Sequence, residues 1–108
     1  MLIDDILELL ATPRPAAAKP FLDRVDATLT DGYAHALQLE AERSRTERRI
    51  AEAVARLGDV AAHRHEPELV ELSEKLMSAN AEIASLRTLL TSLRDRRAEL
   101  HTPPLNLS

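Results

Sequence analysis

Residues 69–100 decide the fold, and they read LVELSEKLMSANAEIASLRTLLTSLRDRRAEL. Apolar side chains recur there at alternating steps of three and four, which places them on one stripe of a long, slightly underwound helix. We call this set the heptad stripe; its members are Leu69, Leu72, Leu76, Ala79, Ile83, Leu86, Leu90, Leu93, Arg97 and Leu100. Because an apolar stripe of this length has to be covered, it predicts packing against at least one other helix.

The composition of the whole chain favours an all-α fold. Its 108 residues include one Phe, one Tyr, no Trp and two Gly, and the apolar content is mainly Leu, Ala, Ile and Val. Ala, Leu, Glu and Arg favour helices, while the scarcity of aromatic residues leaves little material for a thick globular core. The six prolines lie outside the periodic segments or at their starts, so they are compatible with long helices.

Prolines and glycines divide the chain into four parts. We expect a short amphipathic helix over residues 1–11, a Pro/Ala linker over 12–19, a long antiparallel helical hairpin over 20–101 and a C-terminal tail over 102–108. The hairpin would have the character of a coiled coil, because its second helix carries the heptad stripe.

Start and stop signals predict the limits of the two hairpin helices. The first would begin near Pro20 and end near Leu57, and the second would run from Pro67 to about His101. Gly32 leaves the continuity of the first helix open, because a glycine can end one helix as well as lie within it. The short loop between the helices reverses the chain, which favours antiparallel pairing.

Antiparallel pairing also allows a register to be predicted. Centring the turn near His63 gives the pairs Val54–Leu72, Ala36–Leu90, Tyr33–Leu93 and Leu29–Arg97, among others. Arg97 is the one charge within the heptad stripe, and such a charge can fix register at a cost in stability. We expect it either to reach solvent at the helix end or to pair with Asp26 or Glu99.

The middle of the predicted hairpin lacks apolar cover. Residues 42–49 read ERSRTERR and hold no strongly apolar side chain, although they lie opposite part of the heptad stripe. Either the aliphatic stems of Arg43 and Glu47 lie across the stripe, or another chain covers it. Burying one Leu or Ile is worth roughly 1.5 to 3 kcal/mol. We therefore expect a homodimer that forms a four-helix bundle, or a bundle with another helical protein.

The N-terminal segment offers a second apolar surface. Ile6, Leu7, Leu9 and Leu10 provide helical anchors, while Asp4 and Glu8 make the polar face acidic. An acidic face argues against binding to anionic membranes, which select Lys and Arg. Two alternatives are open for this helix: it docks in a groove of a partner protein, or it closes one end of its own bundle.

Arginines on the predicted hairpin suggest an alternative function. Arg43, Arg45, Arg48 and Arg49 could form a basic face for a small nucleic-acid-associated regulator. Glutamates interrupt this run, and the chain carries a net charge of −4. Exposed helix faces commonly hold Arg and Glu at four-residue spacing as ion pairs, so nucleic acid is the less favoured partner.

The sequence contains little that indicates catalysis or metal binding. Without cysteine there is no thiolate nucleophile, disulfide or cysteine metal site. His63 and His65 beside Asp59 and Glu66 resemble an ordinary polar loop more than a zinc site, which usually needs four ligands at preferred spacings. No glycine-rich phosphate loop or pair of catalytic acids occurs, so we expect no enzyme, cofactor, metal or small-molecule substrate. The absence of an apolar run long enough for a membrane span favours a cytoplasmic protein.

Together these observations predict a noncatalytic protein that acts through protein–protein contacts. We expect it to self-associate, with a dimer favoured, and to serve as an adaptor or an assembly or chaperone-type factor. The residues expected at the partner or oligomer interface are Ile6, Leu7, Leu10, Leu76, Met77, Ile83, Leu86 and Leu90.

Overall fold

The computed structural model describes residues 1–13, 18–56 and 66–101, and its regular elements are all α-helices. Helix α1 spans Leu2–Ala11, α2 spans Ala18–Ala55 and α3 spans Glu66–His101. The all-α prediction is confirmed for this part of the chain.

The helix limits lie close to those expected from the prolines. Helix α2 begins at Ala18, so Pro20 lies within its first turn, where the missing N–H of proline costs no helical hydrogen bond. Helix α3 begins at Glu66, immediately before Pro67. The predicted end of α2 at Leu57 and the C-terminal tail lie outside the described residues.

Gly32 lies inside α2 and does not end it. The helix is continuous through this position, and no described glycine has a positive φ angle. A Cβ atom at Gly32 would lie 2.3 Å from Leu90 Cδ2. The glycine therefore permits a close approach of α2 to a side chain of α3, and it does not act as a cap.

Two compact units divide the chain, and each is described separately. The first unit takes Met1–Ala36 and the chain from Ser85 onward, and the second takes Leu37–Ala84. All three helices contribute to the core of the first unit, whose buried apolar residues are Ile6, Leu9, Phe21, Val25, Leu29, Ala36, Leu86, Leu90 and Leu93. The core of the second unit comes from α2 and α3 and is smaller, with Leu39, Ala53, Leu72, Ile83 and the polar residue Thr46.

Within the first unit, α2 and α3 pair in opposite directions. Arg97 forms an ion pair with Asp26 through two hydrogen bonds, of which the Nη2–Oδ2 bond measures 3.3 Å. Further along α2, Gly32 lies against Leu90, which precedes Arg97 in α3. Later residues of α2 thus meet earlier residues of α3.

The pairing in the first unit differs from the predicted register by about one helical turn. Leu90 lies against Gly32, where the sequence had placed Ala36 opposite it. Tyr33, expected opposite Leu93, is exposed, whereas Leu29 is buried. Because a shift of four residues exchanges one stripe position for the next, the heptad spacing is compatible with both registers.

In the second unit, too, the inward-facing residues of α2 differ from those of the predicted register. Val54 was expected to face Leu72, but it is exposed, and its neighbour Ala53 is buried. Thr46 occupies a buried position and satisfies its hydroxyl by donating to the Glu42 carbonyl oxygen at 3.0 Å. The inward face of this part of α2 is therefore built from small and polar side chains.

Candidate interaction surfaces

Helix α1 packs within the first unit. Ile6 and Leu9, two of the four predicted anchors, are fully buried. Leu10 is half-buried, while Leu7 is 48% exposed. The period of the helix explains this division, because residues 6, 9 and 10 share one face and residue 7 lies to its side.

Two polar contacts connect the C-terminal part of α1 to the other helices of the first unit. Arg96 Nη2 donates to the Thr12 carbonyl oxygen at 2.7 Å, and Arg24 lies 3.8 Å from the Glu8 carboxylate. The Glu8–Arg24 pair is well exposed, so its contribution is small. Of the two alternatives for α1, the structure shows the helix packed against its own chain.

The heptad residues assigned to an interface differ in exposure. Ile83, Leu86 and Leu90 are almost completely buried, and Leu76 is half-buried. Met77 is 72% exposed and offers its side chain to solvent. Ile83 and Leu86, which the predicted register left without apolar cover, are covered within the chain, whereas Met77, which lies beside the heptad stripe, is available to a partner.

Arg43 shows how the polar segment of α2 is accommodated. Its side chain is half-buried, donates from Nη1 to Asn80 Oδ1 at 3.3 Å and lies 3.5 Å from the Glu47 carboxylate. The half-buried stem of Arg43 agrees with the expectation for this residue, whereas Glu47 is exposed.

Arg97 satisfies its charge with Asp26, as one of the sequence alternatives proposed. The hydrogen bond that Arg97 donates to the Asp26 carboxylate, and then the negative charge of that carboxylate, raise the pKa of the Arg97 guanidinium above its ordinary value. A raised pKa means that the folded state favours the charged form of the guanidinium. Arg97 therefore stays charged at any working pH.

A basic depression of about 460 Å³ lies on the second unit. Arg45, Arg49 and Lys75 line it together with Glu42 and Thr46. A second, mainly apolar depression of about 430 Å³ lies on the first unit, where Met1, Leu2 and Ile3 meet His35. Both are open surface features, so neither excludes water as a catalytic pocket does.

Among the described residues of the second unit, four large apolar side chains are exposed: Leu37, Val54, Val70 and Met77. We call this set the apolar face. Val54 and Val70 directly follow Ala53 and Leu69, which are less exposed and point inward. When two helices run antiparallel, the residues that follow inward positions on both helices lie on the same side of the pair.

The described residues show neither a metal site nor a membrane-spanning helix. Within residues 1–13, 18–56 and 66–101 no three His, Asp or Glu side chains are grouped closely enough to hold a metal ion. Asp59, His63 and His65 lie outside this part of the chain, as does the side chain of Glu66. None of the three described helices combines the length and the hydrophobicity that a membrane span requires.

The chain matches no known protein-family model, no curated protein and no solved structure.

Proposed function

We propose that this chain is a noncatalytic interaction protein, in which an antiparallel helical hairpin dimerises through the apolar face of its second unit. Two copies would place four hairpin helices together in a bundle. Such a dimer suits an adaptor or an assembly factor, which works by holding surfaces together and needs no reactive group. The proposal places the protein in the cytoplasm.

The exposure of Met77 is the observation that carries this proposal. A single exposed apolar residue is ordinary on a protein surface, but four large ones on one small unit are not. Covering one Leu, Val or Met side chain is worth roughly 1.5 to 3 kcal/mol. A twofold dimer buries each of them twice, because both copies use the same patch.

The core of the second unit gives a further reason for association. Its inward positions on α2 include Thr46, Ala53 and the half-buried Arg43. Small and polar side chains bury little apolar area, so this part of the chain gains less from its own packing than a Leu-rich pair would. A second copy packed over the apolar face would bury additional apolar area and so compensate for this weak core.

Charge-adding variants test where the interface lies. Met77→Glu places a carboxylate in the centre of the apolar face and is expected to convert the dimer to a monomer, since a buried unpaired charge is strongly unfavourable. Ser78→Glu adds the same charge one residue away, on a different side of α3, and is the matched control. Light scattering coupled to size-exclusion chromatography gives the mass of each variant.

The two variants also show what would contradict the proposal. If Ser78→Glu lowers the mass as much as Met77→Glu does, added charge alone explains the effect and the apolar face is not the interface. If neither variant changes the mass of a dimeric wild type, the dimer uses another surface. Circular dichroism confirms that each variant keeps its helices, since both substitutions are at exposed positions.

The nucleic-acid alternative has weaker support. It needs a continuous basic face, but Arg43 pairs with Glu47 and bonds to Asn80. Glu42 lies among the cations of the basic depression. Affinity for nucleic acid depends on the number of phosphates neutralised, and a divided basic surface in a chain of net charge −4 offers few.

A further inference from the structure

The basic depression of the second unit collects cations from two helices. Arg45 and Arg49 lie one turn apart on α2, and Lys75 faces them from α3. Among the described residues, none of these three makes an ion pair or a side-chain hydrogen bond. Glu42 is the one carboxylate that lines the depression, so the lining carries a net charge of about +2.

Four arginines outside the depression have carboxylate partners, namely Arg24, Arg43, Arg96 and Arg97. Two like charges one turn apart destabilise a helix by a few tenths of a kcal/mol, and Lys75 adds to the repulsion. An anion bound between the three cations would turn this repulsion into attraction.

The floor of the depression indicates what kind of anion fits. Thr46 is 8% exposed, and its hydroxyl is already engaged with the Glu42 backbone. Among the described residues, the lining holds no large apolar side chain that could receive the anchor of an amphipathic helix. Guanidinium groups match phosphate oxygens in bidentate geometry, and an ammonium group adds a point charge. A compact, doubly charged anion suits this set better than a long polyanion, which would meet Glu42.

We propose that Arg45, Arg49 and Lys75 form a binding site for one compact phosphate-bearing anion. The site is independent of self-association. Each of its three cations lies one residue before an inward-facing position, namely Thr46, Ile50 or Leu76. The residues of the apolar face lie one residue after such positions, so the two surfaces are on different sides of the helix pair. Binding here and dimerisation can therefore fail separately.

Titration with pyrophosphate tests the site, with sodium chloride adjusted to hold the ionic strength constant. Changes in backbone amide chemical shifts should saturate at millimolar pyrophosphate and cluster around residues 42–49 and 75. Arg49→Gln and, separately, Lys75→Gln should each weaken binding about tenfold or more, because each removes a charged hydrogen-bond donor. Raising the salt concentration should weaken binding further.

Arg48→Gln is the matched control, since it removes the same charge from the same run but does not line the depression. It should leave the affinity within about twofold. A nucleoside diphosphate and a phosphoserine peptide, titrated in parallel, distinguish a free ligand from a phosphorylated protein, and tighter binding of either supports the site.

Three results would overturn the proposal. One is the absence of saturation up to tens of millimolar pyrophosphate. Another is an equal loss of affinity in Arg48→Gln and Arg49→Gln, which would indicate only a diffuse basic surface. The third is duplex DNA that binds more tightly than pyrophosphate and depends on Arg48, which would favour the nucleic-acid alternative.

Discussion

Gly32 of α2 lies directly against the side chain of Leu90 of α3. A methyl group at Gly32 would overlap Leu90 Cδ2, and Leu90 is 2% exposed and has little room to move. Replacing Gly by Ala in a helix interior otherwise gains about 1 kcal/mol. Overpacking of a core costs typically about 1 to 3 kcal/mol, so the two effects oppose each other.

We predict that Gly32→Ala lowers the free energy of unfolding by about 1 kcal/mol. In a Leu90→Ala background the same substitution should raise it by about 1 kcal/mol, because the clash is gone and the helix propensity of Ala remains. Urea denaturation of the four proteins in this cycle gives both values. The same sign in both backgrounds would show that Gly32 has no steric role.

Arg97 and Asp26 give a second prediction at the scale of the residue. Both side chains are more than a third exposed, so the pair should add little to stability and should weaken in salt. We expect a double-mutant cycle with Arg97→Gln and Asp26→Asn to show a favourable coupling at low ionic strength that shrinks at high ionic strength. Coupling that does not depend on salt would contradict this view of the pair.

These two positions also show what the sequence could reveal about single residues. A charge within an apolar stripe requires a partner or solvent, and Asp26 was already a candidate for Arg97. Gly32 gave two opposite interpretations, because glycine serves both as a helix end and as a point of close approach. Only the short distance between Gly32 and Leu90 distinguishes these two interpretations.

At the scale of the element, α1 is held by the face that carries Ile6 and Leu9. We predict that Ile6→Ala lowers the free energy of unfolding by about 2 to 5 kcal/mol, the range for truncating a fully buried aliphatic side chain. Leu7→Ala removes a similar volume at a 48% exposed position and should cost much less. Denaturation of both variants measures the difference, and equal losses would mean that α1 does not dock through this face.

The helices themselves were largely predictable, and their pairing was not. Prolines and periodic apolar residues located all three helices within a few residues of the described limits. The register was wrong by about a turn, since sliding one heptad stripe by four residues brings the next stripe position into place. The contact between the smallest residue, Gly32, and the large side chain of Leu90 was the detail that distinguishes the two registers.

That difference in register also changed the candidate interface. In the predicted register the polar segment of α2 left Met77, Ile83 and Leu86 without cover, which made them candidates for contact with another chain. The structure buries Ile83 and Leu86, while Leu37, Val54 and Val70 join Met77 in being exposed. The apolar face therefore depends on which side of each helix points inward, and heptad spacing alone does not determine this.

At the scale of the whole molecule, the account depends on self-association. The apolar face and the basic depression both belong to the second unit, but they lie on different sides of its helices. Each can therefore be tested separately. Dimerisation would bury the apolar face and leave the basic depression accessible to a ligand. Phosphate binding and dimer formation should therefore be compatible in one sample.

The most direct test of the central claim is the solution mass of the wild-type chain, measured by sedimentation equilibrium. We would follow it from about 1 to 100 μM, the range in which a homodimer of ordinary affinity forms. The account predicts a mass that rises from the 12.0 kDa of one chain toward twice that value. A mass of 12.0 kDa across the whole series would contradict it.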